Sequence, residues 1–171
     1  MFKSIEGNFD HPEVNELLIK HFVELRGASP KGSAHVLDIP GLKTSSIKFW
    51  SLWENDMLLG CGALKFLDKD HGEFKSIRVH DNFRKKGNGI KIINHLIGEA
   101  LKLKIKRLSI ETGAGKFFEP ARKLFKECNF ELTKPFAHYK EDENSIYLTK
   151  LINNDWDKKS IKSINLVDKT P

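Results

Sequence analysis

The run Val79-His80-Asp81-Asn82-Phe83-Arg84-Lys85-Lys86-Gly87-Asn88-Gly89-Ile90 has the residue types and spacing of an anion site. An apolar, strand-like segment from Phe74 to Val79 leads into this basic turn. The stretch after it carries Ile93, Leu96, Ile97, Ala100 and Leu101 at i, i+3, i+4, i+7 and i+8, the pattern of an amphipathic helix. Free N–H groups at a helix N-terminus point outward, and the helix dipole adds about half a positive charge there. Gly87 and Gly89 let the backbone come close to a bulky phosphate, and Arg84, Lys85 and Lys86 add charge beside it. The pattern predicts a pyrophosphate cradle built from the backbone amides of Lys86 to Ile90. Spacing excludes two common cradles. A Walker A loop needs Lys-Ser/Thr directly after its second glycine, where this chain has Ile90-Lys91. A dinucleotide fingerprint needs a third glycine where Ile92 stands.

Other chemistries find no support. Cys61 and Cys128 lack a metal-binding spacing and fit reduced thiols. The seven histidines are scattered, so no metal is expected, and there is no Gly-x-Ser-x-Gly elbow. A net charge of +6 favours polyanionic ligands, coenzyme A and nucleic acid among them. The 171 residues are read as one domain, large enough to bury about two-thirds of its unfolded surface. No apolar run approaches the roughly 20 residues of a membrane span, and Met1 to Ile5 lacks a signal-peptide layout. Both point to a cytoplasmic protein with no membrane partner.

The elements that must position the cradle can be read in order. Phe2 to Ile5 is a short strand, and Pro12 to Leu25 is a helix with Val14, Leu17, Leu18, His21, Phe22 and Leu25 on one side. Gly27 to Leu42 reads as a loop with at most a short helix. Ile47 to Trp53 and Met57 to Phe66 are strands joined by Glu54-Asn55-Asp56, and Gly72 to Val79 pairs after a further turn. Arg107 to Thr112 alternates as a strand. Ala121, Leu124, Phe125 and Cys128 share a helical face, and Phe130 to Thr133 and Ser145 to Leu151 close the sheet. Residues 153–171 turn polar and mixed in charge, and are read as a tail or an extra packed element.

Arg84-x-x-Gly87-x-Gly89 resembles the acetyl-CoA-binding motif of the GNAT superfamily of N-acetyltransferases. A second stretch, Phe118 to Phe130, is similar to the family pattern Asn-x-x-Ala-x-x-Leu-Tyr-x-x-x-Gly-Phe. Ala121, Leu124 and Phe130 match it, while Phe118, Phe125 and Asn129 stand at its Asn, Tyr and Gly positions. Ser29-Pro30 to Asp38, Leu59 to Leu64 and Pro135-Phe136-Ala137-His138-Tyr139 resemble a bacterial subgroup of poorly defined substrate. The likeness spans about residues 1 to 151.

The resemblance implies an α/β fold: a GNAT-type mixed, mostly antiparallel sheet flanked by helices and splayed between the fourth and fifth strands. It implies an N-acetyltransferase domain over 1–152, with acetyl-CoA as donor and a small-molecule or amino-acid-like amine as acceptor. A homodimer is a compatible assembly. Backbone groups of Ile77, Arg78 and Val79 would bind the pantetheine arm and thioester, and Arg84, Lys85, Lys86, Gly87, Asn88, Gly89 and Ile90 the pyrophosphate. Phe118, Ala121 and Phe125 would complete the donor site.

Acyl transfer needs an amine without its proton, a donor for the oxyanion and an acid for the thiolate. Glu73 lies eleven positions before Arg84, where histone acetyltransferases of the superfamily carry a glutamate base. Strand alternation places Glu73, Lys75, Ile77 and Val79 on one face. Glu73 is therefore the candidate base, the other reading being a simple pairing with Lys75 or solvent. The usual acid is the Tyr that Phe125 replaces. By subgroup resemblance Tyr139 is the substitute, ahead of Cys128 and His138, unless it only caps the sheet. Arg26 and His35 flank the loop that the resemblance places over the acceptor side; they are candidates to orient a substrate carboxylate, the other reading being a surface role. Glu111, at a strand end, is a further substrate contact or a turn cap. Trp50 and Trp53 are read as core, or one as a pocket wall, and Lys91, Lys102, Lys104 and Lys106 as a solvated face. Three functions compete: an acetyltransferase, a CoA-binding fold with little catalysis, and a basic nucleic-acid-binding domain. The last is disfavoured because no recognition motif accompanies the charge.

Overall fold

A computed structural model describes residues 1–152; the expectation for residues 153–171 lies outside the described residues. The strands are β1 (Phe2–Glu6), β2 (Ile47–Glu54), β3 (Met57–Phe66), β4 (His71–Val79), β5 (Arg107–Gly113), β6 (Glu131–Leu132) and β7 (Ser145–Leu151). The helices are α1 (Pro12–Ala28), α2 (Ile39–Leu42), α3 (Asn88–Lys102) and α4 (Glu119–Glu127), with short 3-10 turns at Asp81–Phe83 and Lys116–Phe118. The strands form one sheet in the order β1-β2-β3-β4-β5-β7-β6. Each adjacent pair is antiparallel except β4 with β5. The expected mixed, mostly antiparallel sheet is therefore present, and helices cover both faces.

Both faces of β2 are buried, so its alternating aromatics serve two cores. Trp50 and Leu52 join the cluster under α3 with Phe74, Ile92, Ile93, Leu96 and Leu108. Phe49 and Trp53 join the one under α1 with Val14, Leu17, Leu18, Leu42 and Leu58. Neither Trp50 nor Trp53 walls an open pocket: each is 4% exposed. The β2–β3 turn tightens to Asn55-Asp56, both at positive φ (49° and 64°), the handedness that suits a two-residue hairpin. On α3 the buried stripe also takes in Ile92, which the sequence reading had left out.

Two irregularities prepare the site. The parallel ladder between β4 and β5 is confined to His71–Glu73 opposite Arg107–Ser109, so the strands part beyond Glu73. That is the splay expected between the fourth and fifth strands. Within β4, Ser76 sits at φ 51°, and the β3 pairing slips by one residue between Ala63↔Lys75 and Cys61↔Arg78. An extra residue of this kind is a β-bulge, and it reverses which side chains face which way beyond it. The expectation that Glu73, Lys75, Ile77 and Val79 share a face is thus corrected. Ile77 and Val79 pack with Phe74 under α3, and Arg78 turns instead to Glu24 of α1. Glu73 and Lys75 remain together on the α1 side.

Candidate active site

The glycine turn opens a helix where the spacing put it. Gly87 is the N-cap of α3 at φ +77°, and no side chain caps the helix start. The first-turn amides therefore keep their capacity for an anion. A Cβ at Gly87 would meet no protein atom within 4 Å, so its glycine serves the left-handed backbone and whatever approaches from outside. Gly89 has a different reason. A Cβ there would stand 2.6 Å from Leu124 Cδ2, so this glycine lets α3 pack on α4. Asn88 Nδ2 donates to the Phe83 carbonyl at 2.9 Å, fixing the turn. Lys85, at φ 60°, and Lys86 are exposed, with Lys86 over the Phe83 ring. Ile90 is 38% exposed. Arg84 is already engaged, 2.9 Å from Asp81, which also holds Arg78 and Lys20.

Ile77, Arg78 and Val79 form the free side of the splay. Arg78 and Val79 pair with Cys61 and Gly60 of β3, and none of the three has a β5 partner. The Arg78 side chain is not available there: it is buried, with Glu24 at 2.6 Å and Asp81 at 3.2 Å. On α4, Ala121 is half-buried, while Phe118 and Phe125 are buried. Phe125 packs edge-on against Phe130 at 5.3 Å in the core under α3. Asn129 replaces glycine at φ 62°, a conformation asparagine tolerates better than most residues.

The candidate base lies at the fork of the splay. Glu73 is completely buried. The Tyr139 hydroxyl donates to its Oε1 at 2.5 Å, and Lys75 Nζ stands 3.1 Å from the same oxygen. Lys75 also donates to the Tyr139 hydroxyl at 2.8 Å and to the His35 carbonyl at 3.1 Å. Glu73 Oε2 is buried with no hydrogen-bond partner. A buried carboxylate oxygen without a partner is costly, so Oε2 can accept a further hydrogen bond. Glu73 thus pairs with Lys75, as in the alternative reading of this residue, and Tyr139 joins the same cluster.

Tyr139 is brought in by the Phe136–Tyr139 turn, with Ala137 at φ 51° and the Tyr139 amide donating to the Phe136 carbonyl. Burial first, then the Glu73 charge, pushes its phenol well above the ordinary range. The His35 ring packs edge-on against Tyr139 at 5.1 Å; burial, then Lys75, lowers its pKa and keeps it neutral. Glu111 projects from β5 on the same face, takes a 2.8 Å hydrogen bond from Ser145, and is raised by burial. Arg26 stays outside this group, exposed with its guanidinium over the Phe22 ring. His138 stacks on Tyr139 at the surface, and Cys128 is buried in the core under α3. The sequence reading had the Glu73–Lys75 pairing as an alternative but missed the Lys75 contacts to the Tyr139 hydroxyl and the His35 carbonyl. The i+2 spacing of Lys75 from Glu73 was a signal; a backbone carbonyl from a loop gives none.

A model of the Acetyltransferase (GNAT) family matches residues 13–130. The chain belongs to the GNAT acetyltransferase family. It is 45% identical over 138 residues to Bacillus subtilis (strain 168) YsnE, an uncharacterized N-acetyltransferase, covering 81% of this chain and 91% of that one. It is 36% identical over 149 residues to Escherichia coli (strain K12) YedL, another uncharacterized N-acetyltransferase, covering 87% and 94%. A GNAT family acetyltransferase from Elizabethkingia anophelis with acetyl-CoA bound has the same fold, at TM-score 0.64 and 21% identity over 88% of this chain and 97% of that one. The GNAT resemblance and the splayed sheet read from the sequence are both borne out. Among the described residues no helix is long and apolar enough to cross a membrane, and no group of side chains could hold a metal ion.

Proposed function

We propose that this GNAT enzyme transfers the acetyl group of acetyl-CoA to a small-molecule or amino-acid-like amine, with Glu73 as general base. The observation that carries the reading is the buried Glu73 carboxylate, with one oxygen hydrogen-bonded by Tyr139 and ion-paired with Lys75 and the other without a protein partner. The chain's features fit acetyl-CoA. Gly87 gives an uncapped helix start with open space beside it, flanked by Lys85 and Lys86, and one edge of Ile77 to Val79 lacks a strand partner. Backbone amides of the α3 start would hold the pyrophosphate and the open β4 edge the pantetheine arm. When bound, acetyl-CoA supplies an activated acyl thioester.

The protein's own part follows from its hydrogen bonds. A neutral amine is the nucleophile, so a proton must leave the acceptor nitrogen. Glu73 Oε2, which has no protein partner, accepts it directly or through a water. While Glu73 is charged, its attraction holds the phenol proton on Tyr139. Protonation of Glu73 removes that attraction, so Tyr139 becomes the candidate acid for the departing thiolate. Phe125 cannot serve. Glu111 and His35, facing the same group, are read as acceptor contacts; Arg26, away from it, as a contact at the outer rim. The paired lysines on the outer face weaken the nucleic-acid reading: Lys91 with Glu54 at 2.6 Å, Lys102 with Glu99 at 2.7 Å, Lys106 with Asp70 at 3.3 Å.

An amine-acceptor screen with acetyl-CoA, following free thiol release and N-acetyl product together, tests the proposal. Stoichiometric thiol and product with at least one amine class supports it. Tight acetyl-CoA binding with no acceptor across a broad screen would favour a CoA-binding fold without efficient catalysis.

A further inference from the structure

We propose that Lys75 is a positioning residue that sets the geometry and charge of Glu73 and fastens the 29–38 segment to it. The assignment rests on the reading of Glu73 as base. Lys75 is only 9% exposed, and a buried ammonium is tolerated when it is paired and hydrogen-bonded. It donates to the Tyr139 hydroxyl at 2.8 Å and to the His35 carbonyl at 3.1 Å, and is ion-paired with Glu73 Oε1 at 3.1 Å. With its contacts made to protein groups, it acts through its neighbours.

The order of donors fixes the direction of the cluster. A phenol has one hydrogen, and Tyr139 spends it on Glu73 Oε1 at 2.5 Å, so its oxygen is free to accept from Lys75. The phenol hydrogen bond and the Lys75 ion pair therefore both meet Oε1 and leave Oε2 as the working oxygen. The third contact reaches a different part of the chain. His35 lies in the segment between α1 and α2, which is tied a second time where Ser33 Oγ donates to Asp142 at 2.7 Å. One ammonium thus joins β4, the Phe136–Tyr139 turn and the 29–38 segment.

Lys75 is also the counter-charge of this group. The titratable residues that interact with Glu73 are Lys75 and His71 on its own strand, Glu111 on β5, Tyr139, and His35 from the loop after α1. Of these, Lys75 is the ammonium, while burial lowers the pKa of both His35 and His71. Removing its charge disfavours a carboxylate among other anions, so a reaction that needs that carboxylate loses turnover at a higher pH than before.

The test compares Lys75→Met, Ser33→Ala and Glu73→Gln/Lys75→Met with the unmodified protein. For Lys75→Met the expected result is unchanged acetyl-CoA affinity by calorimetry and a kcat lower by about tenfold or more. The acid limb of its kcat profile should move up by about one pH unit or more. Amides of residues 33–37 should exchange with deuterium about tenfold faster. Ser33→Ala should speed the same amides without moving the acid limb, which separates fastening from charge. If Lys75→Met fails to fold, the double variant removes both buried charges at once and still reports the lost His35 contact as faster exchange. Wild-type limb and wild-type exchange in a folded Lys75→Met overturn the proposal, even if turnover falls, because lost packing alone would then explain the fall. If Glu73→Gln alone retains full activity while Lys75→Met still loosens residues 33–37, the base reading fails and the fastening stands.

Discussion

At the scale of single residues, the chemistry turns on how one carboxylate is furnished. Oε1 of Glu73 takes the Tyr139 hydrogen bond and the Lys75 ion pair, and Oε2 is buried with no protein partner. Tyr139 is the residue whose role is most open to experiment. Its phenol is pushed well above its ordinary range, by burial first and the Glu73 charge next, and protonation of Glu73 relieves only the second of these. Tyr139→Phe removes the transferable proton and one donor to Oε1 while keeping the ring against His35. A fall in kcat of more than about tenfold, measured with acetyl-CoA saturating, is expected for a general acid. A fall under about threefold would mean that thiolate leaves unassisted. The sequence carried Glu73 and Tyr139 by resemblance, but their contact spans 66 residues of chain, and no local pattern announces it.

At the scale of elements, the cradle depends on two glycines for different reasons. Gly87→Val puts a β-branched side chain at φ +77° and fills the space beside the helix start. Calorimetry should show coenzyme A affinity reduced by tenfold or more, about 1.4 kcal/mol. Unchanged affinity would remove the cradle from the donor site. Gly89→Ala instead drives a methyl toward Leu124 Cδ2, 2.6 Å away, the flexible end of a side chain. The expected cost is about 1–2 kcal/mol of stability in urea unfolding, with overpacking outweighing the better helix propensity. Periodicity made α1, α3 and the strands legible, and Ser145–Leu151 was bounded as observed. The bulge was not legible, because a serine at φ 51° looks like any serine in a strand; what places it there is the pairing with β3. That slip is why alternation counted from Glu73 failed at Ile77.

At the scale of the whole molecule, the sheet separates two tasks. The α3 side and the open edge of β4 suit a donor, while Glu73, Lys75, Tyr139, His35 and Glu111 gather on the α1 side. Stability should carry a pH signature of this packing. His21, buried between α1 and β4, has its pKa lowered to about 4 by burial first and Arg78 next. The unfolded chain therefore takes up a proton near pH 6.5 that the folded chain refuses, so stability falls as pH drops from 6.5 toward 4. The loss from this group is about 3 kcal/mol, and His35, His71 and His95, lowered too, add in the same sense. Urea midpoints at pH 6.5, 5.5 and 4.5 should fall, and His21→Gln should flatten the trend. The division of tasks itself is tested most directly by Glu73→Gln on a verified acceptor, with turnover followed across pH and acetyl-CoA affinity measured alongside. The account predicts turnover lower by roughly 10²–10⁴, acetyl-CoA affinity unchanged, and a deficit that narrows at high pH where the free amine forms unaided. Full activity of Glu73→Gln at every pH would contradict it.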